Sequence, residues 1–176
     1  EVSALELHDA LDFLSVVWRV SFGAPLLQLK TATQLGELAL PCVSRADFVS
    51  RLSALTGVMK RFQIEDGLLP VGKRDSDKGH TLQRVELAIQ HRVEQEGHEQ
   101  GMADRADEAL KVLRALNGVR NSLQHPSTNL RQAVAPWMTL GLTYPPTSWS
   151  VAWNQVLAAS LGALRDLRAV VDELQP

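Results

Sequence analysis

Residues 109–126 read ALKVLRALNGVRNSLQHP, and within them Ala109, Val112, Leu116, Val119 and Leu123 recur at the three-and-four spacing of one helix face. Pro126 ends that helix, because a proline carries no backbone donor and disfavours helical geometry at the residue before it. A single apolar stripe cannot leave water alone, so a helix of this kind predicts neighbours with stripes of their own.

The rest of the chain supplies them. Ser3 with Glu6 forms a capping box, and Leu7, Leu11, Leu14 and Trp18 follow on one face of a first helix that ends near Phe22-Gly23. A second helical stretch is expected over residues 25–40, closed by Pro41. Ser44 with Asp47 opens a third helix, striped by Phe48, Leu52, Leu55, Met59 and Phe62. Residues 66–80 hold glycines, a proline and alternating charge without any period, which predicts a mobile surface loop. Leu82, Val85, Ile89 and Val93 mark a fourth helix stopped at Gly97. The stretch 109–126 is the fifth, and a short sixth is expected from Asn129 to Trp137. After Pro145-Pro146, Thr147 or Ser148 caps a last long helix with Trp153, Leu157, Leu161, Leu164, Leu167, Val171 and Leu174 on its buried side. No strand pattern competes. The expected fold is therefore all-α, an up-and-down bundle of about five to seven helices.

With 176 residues, 45% hydrophobic and 22% charged, the chain can fill one core but hardly two, so residues 1–176 are expected to form one domain. It begins at Glu1 without an initiator methionine or a charged-then-apolar leader, as expected either of a trimmed chain or of a domain from a longer protein. A formal net charge of -2 gives no overall field for a polyanion, so any RNA contact must be local. Cys42 is the single cysteine; it excludes an internal disulfide, suits a reducing, cytoplasmic setting and reads as a small buried apolar residue. The uncharged run 132–164 is broken by Pro136 and Pro145-Pro146, so no membrane partner is expected.

Chemistry concentrates at the end of the fifth helix. Five steps separate Arg120 from His125, which in an unbroken helix would set their side chains about 140° apart at roughly 100° per residue. Pro126 changes that expectation, because the last turn can open and let the imidazole swing back toward the guanidinium. An imidazole moves protons near neutrality and a fixed guanidinium steadies a charged phosphoryl transition state, which is what phosphodiester cleavage requires. Asn121 adds an amide able to orient the imidazole or bind a phosphate oxygen, and Arg114 could recruit substrate. Gly118 lets another backbone approach closely, a helix of a second subunit being one candidate. The competing structural explanation is that Arg and His near a helix C-terminus complement its dipole and cap loose carbonyls.

The run Leu113-x-x-Leu116-Asn117-x-x-Arg120-Asn121-x-x-x-His125-Pro126 resembles the HEPN superfamily of all-helical domains, whose signature is Arg, four to six residues, then His, with a polar residue often following the Arg. The resemblance in architecture covers about residues 5–174. It implies a metal-independent endoribonuclease in which paired motifs of a homodimer form one cleft. His125 would then assist attack by the ribose 2′-hydroxyl and Arg120 would steady the phosphoryl centre. Arg120, Asn121 and His125 are the implied catalytic residues, with Arg114 and Asn117 on the substrate and no cofactor. RNA would be the substrate, an antitoxin or other regulatory protein a partner, and toxin–antitoxin or phage-defence biology the setting. Some toxins of the family carry a Tyr two residues beyond the His that receives adenylyl groups; Ser127 stands here, which puts that control in doubt. The family also holds inactive members, so the alternative is a non-catalytic helical module that binds a nucleotide, RNA or a protein.

Four other patterns carry less. Gly67-x-x-x-x-Gly72-Lys73 imitates a phosphate loop, but Arg74 stands where Ser or Thr should hold magnesium. His91, Glu94 and His98 lack zinc-protease spacing. Trp137, Tyr144, Trp149 and Trp153 could stack on bases, though packing is the commoner use. Ala158 with Gly162 and Ala159 with Ala163 allow a close helix approach, either within the bundle or across a dimer.

Overall fold

The computed structural model describes residues 3–27, 36–72, 81–125 and 129–175. Among them are six long helices: α1 (Ala4–Phe22), α2 (Arg45–Met59), α3 (Thr81–Glu96), α4 (Gln100–Gln124), α5 (Leu130–Thr139) and α6 (Trp149–Glu173). A single 3-10 turn, Asp66–Leu68, lies between α2 and α3. The described residues contain no strand, only an isolated bridge between Leu27 and Phe62. The all-α architecture expected from periodicity is the one observed.

Local sequence sets the helix starts. Ser3 and Ser44 both close reciprocal capping boxes, with Glu6 and Asp47 respectively, so orphan amides at the start of each helix are satisfied from both sides. The Asp47 carboxyl is held below its ordinary range by the Ser44 hydroxyl and the Val43 amide. Ser148 caps α6 and Asn129 caps α5. Gly23 ends α1 at φ 69°, a left-handed conformation that glycine adopts without a Cβ penalty.

Two boundaries differ from expectation. The stretch 25–40 does not begin as a helix: Leu26 accepts a backbone bond from Gln63 at 2.6 Å and Leu27 pairs with Phe62, while residues 36–38 are helical and 28–35 lie outside the described residues. Helix α4 starts at Gln100, nine residues before Ala109, because Met102, Ala103 and Ala106 extend the buried face with mostly small side chains that a search for large apolar residues passes over.

Helix α4 is the hub of the bundle, packing against α2, α3, α5 and α6, and α1 completes the core by lying on α6. The stripes of α1, α2, α3 and α6 named from the sequence are all buried. Full burial of one such Leu is worth about 1.5–3 kcal/mol over exposure, and these stripes together fix the arrangement. Cys42 is buried as expected, which pushes its thiol up. Beside it, the buried Arg51 donates from Nε to the Leu40 carbonyl at 2.8 Å and from its terminal nitrogen to that of Pro41, tying residues 40–41 to α2. No helix among the described residues is long and apolar enough to cross a membrane.

Candidate functional site

The end of α4 is held from two sides. On one, Trp137 of α5 donates from Nε1 to Ser122 Oγ at 2.9 Å, and that hydroxyl in turn donates to the Val119 carbonyl at 2.8 Å. Phe48 stacks on Trp137, Tyr144 packs edge-on against the same ring, and Trp149 and Trp153 pack against Phe48. The aromatic residues are thus packed into one another around Phe48 and Trp137, and Trp137 itself is fully buried. The close approach expected at Gly118 is made within the chain: a Cβ there would sit 2.6 Å from Cγ of Pro136 on α5.

On the other side lies α2, running antiparallel to α4. Arg45 at its start donates to the Leu123 carbonyl at 2.6 Å, and Ser53, two turns on, accepts from Arg120 Nε at 3.1 Å. The carbonyl cap of α4 is therefore supplied by Arg45. Arg120 is not the cap; it leans sideways, half-buried, on α2. Among the described residues its guanidinium has no carboxylate partner, so its charge is unmatched locally.

The helix stays closed to its end. The His125 amide completes the regular bond to the Asn121 carbonyl at 2.8 Å, and only then does the backbone turn extended, at φ −127° and ψ 102°. The expected departure thus occurs at His125 itself, as a following proline dictates, and the last turn does not open before it. Pro126 and Ser127 lie outside the described residues. His125 is exposed, as is Asn121, and no hydrogen bond joins either side chain to Arg120 among the described residues.

Arg114 and Asn117 sit elsewhere on α4. Both line a cleft of about 400 Å³ with Met59, Lys60, Thr81, Leu82, Gln83 and Glu86. Arg114 donates to the Glu86 carboxylate and, at 3.2 Å, to Asp107. Partial burial opposes charge on Asp107, but hydrogen bonds from Lys111 and Arg114 outweigh it and hold the carboxyl below its ordinary range. The charge of Arg114, expected to recruit substrate, is thus matched twice within the protein, whereas Arg120 faces no acid among the described residues.

Sequence reading missed Arg45, Ser53, Lys60 and Gln83, which reach these sites from α2 and α3. Their one legible trace is that Arg45, Ser53 and Lys60 follow each other by eight and seven residues, close to whole turns, beside the apolar stripe of α2.

Gly67 lies in the 3-10 turn, where Asp66 pairs with Arg84 at 2.6 Å; Lys73, Arg74 and Lys78 lie outside the described residues. His98 pairs with Glu96 at 3.0 Å, and no group of three His, Cys, Asp or Glu able to hold a metal occurs among the described residues. Ala159, Gly162 and Ala163 line a groove with Ala109 and Val112, placing them at the seam of α6 and α4. No family model, no curated protein and no solved structure matches the chain.

Proposed function

We propose that the chain is a HEPN-like, metal-independent endoribonuclease domain whose reaction takes place at the C-terminal end of α4. One observation carries this reading: Arg120, an arginine without an acidic partner among the described residues, is braced by Ser53 within the same last turns that present an exposed His125. A half-buried guanidinium with no carboxylate to neutralise it is matched to an anion from outside the protein, and a phosphodiester fits its planar fork.

In the proposed reaction the neutral imidazole of His125 takes the proton of the ribose 2′-hydroxyl. The 2′-oxygen attacks phosphorus, the bond from phosphorus to the 5′-oxygen breaks, and the leaving oxygen takes a proton from imidazolium or water. Because the last turn stays closed, Arg120 and His125 of one chain remain on faces about 140° apart at roughly 100° per residue. The Arg120 that stabilises the charge building on the non-bridging oxygens opposite a given His125 is therefore the one brought by the second motif of a dimer, and Asn121, one residue after Arg120, adds an amide able to orient ring or phosphate. The products are a 2′,3′-cyclic phosphate and a 5′-hydroxyl. A homodimer would bring two such helix ends to one strand; a toxin regulated by an antitoxin, or a phage-defence effector, is the setting that this chemistry suits.

The test is cleavage of a mixed-sequence RNA in excess chelator by the wild type and by His125→Ala. The wild type should leave cyclic phosphate ends and the variant should be slower by about 10²–10⁴-fold. Equal rates would remove His125 from the chemistry. Light scattering across a concentration series checks the dimer, which a persistent monomer would exclude. The second reading, a non-catalytic module binding a nucleotide or RNA, draws on the amide-lined cleft at Asn117 and predicts binding without cleavage.

A further inference from the structure

Lys60 at the end of α2, Gln83 on α3 and Asn117 on α4 meet around one cleft of about 400 Å³, within the range of about 300–1,000 Å³ typical of small-molecule sites. The ammonium of Lys60 and both side-chain amides have no hydrogen-bond or ion-pair partner among the described residues. Met59 and Leu82, 2% and 7% exposed, contribute apolar surface, and the Glu86–Arg114 pair closes one wall. Three helices thus bring to one cleft polar groups that, among the described residues, no other protein group engages, an arrangement that the packing of the bundle does not itself require.

We infer that this cleft is a nucleobase subsite that takes adenine. The inference rests on the ribonuclease reading only for where the rest of the strand goes. An amide offers a donor and an acceptor side by side, which matches the N6 and N7 edge of adenine. Guanine presents two acceptors on that edge and asks for two donors. Cytosine asks for a carboxylate, and the Glu86 carboxylate already holds Arg114. Met59 and Leu82 close the floor of the cleft beneath the base, which the two amides hold by its edge, and the exposed Lys60 meets its phosphate. Asn117 precedes Arg120 by three residues, a rise of about 4.5 Å along the helix. Along the helix axis, the cleft therefore lies within one turn of Arg120.

The test measures binding apart from cleavage. Short strands of adenosine, uridine, cytidine and guanosine, made resistant by 2′-O-methylation, are titrated against the full chain alongside AMP. The adenosine strand should bind about tenfold tighter than the uridine strand, or more. Asn117→Leu and Gln83→Leu should each erase most of that preference. Gln83 is exposed on α3, so its variant tests the cleft even if Asn117→Leu unfolds, which circular dichroism will report. AMP binding as tight as the strand would support the adenine cleft with a free nucleotide as its ligand, and tighter strand binding would support RNA. Equal affinity for all four strands, or a preference that survives in both variants, would overturn the inference. An adenosine preference together with unimpaired cleavage by His125→Ala would leave the subsite standing and remove the proposed chemistry.

Discussion

The two stretches of α4, before and after Arg114, treat charge in opposite ways. Up to the fifteenth residue of the helix, Arg105 holds Glu173 through two bonds of 3.0 and 2.5 Å, Lys111 holds Asp107 and Glu108, and Arg114 holds Glu86 and Asp107. In the last turns, among the described residues, Arg120 meets only a hydroxyl and Arg45 on α2 only a carbonyl, and Asn121 and His125 stand exposed. One helix thus carries a self-neutralised stretch, which serves the bundle, and an unneutralised one, which the bundle does not consume. The contrast separates cations that hold the fold from the cation proposed to hold a substrate, although Arg114 and Arg120 look alike in the sequence.

The largest structural effect should fall on the anchor between the end of α4 and α5. Trp137→Ala removes a fully buried ring and the donor to Ser122, and should cost about 3–5 kcal/mol in urea unfolding. A smaller loss would mean that α5 is not what steadies the end of α4. Gly118→Val would drive side-chain carbon into the ring of Pro136, and should cost about 1–3 kcal/mol by the same measurement. An unchanged midpoint would show that α5 can move aside.

Much of the bundle could be read from spacing, because large apolar residues recur wherever a helix faces the core: the stripes of α1, α2, α3 and α6 needed nothing more. The start of α4 escaped because Ala103 and Ala106 bury faces too small to register as a stripe. Residues 25–27 escaped because a proline and two leucines suit a helix start as well as an extended bridge, and only Phe62, far along the chain, decides between them. The candidate site was legible only on its own helix. Arg120 and His125 stand out by type and by the proline, but Arg45, Ser53 and Lys60 become neighbours through the antiparallel register of α2 on α4, which no local pattern encodes. Nor can sequence tell a matched cation from an unmatched one, since Glu86 lies on a different helix from Arg114.

Smaller effects sharpen the contrast from the neutralised side. Arg114→Leu should change stability by less than about 1 kcal/mol, as partly exposed pairs do, because its loss leaves two carboxylates that water can reach. A larger loss would make the pair with Glu86 a core interaction. Asp107 gives the pH signature. Its folded pKa is depressed, so its contribution is fully present above the unfolded value of about 3.9 and is lost as pH falls through the lower folded value. Urea midpoints of Asp107→Asn should therefore fall less steeply than those of the wild type as pH drops below 4. Parallel curves would show that the Lys111 and Arg114 contacts do not persist in solution.

The most direct measurement compares Arg120→Ala with Arg114→Ala in single-turnover RNA cleavage, with melting curves recorded on the same samples. Arg120→Ala should lose about 100-fold or more in rate with its melting point nearly unchanged, while Arg114→Ala keeps most of its rate. Equal losses in the two variants, or no loss at Arg120, would contradict the division of α4 into a stretch that builds the fold and an end that acts on RNA.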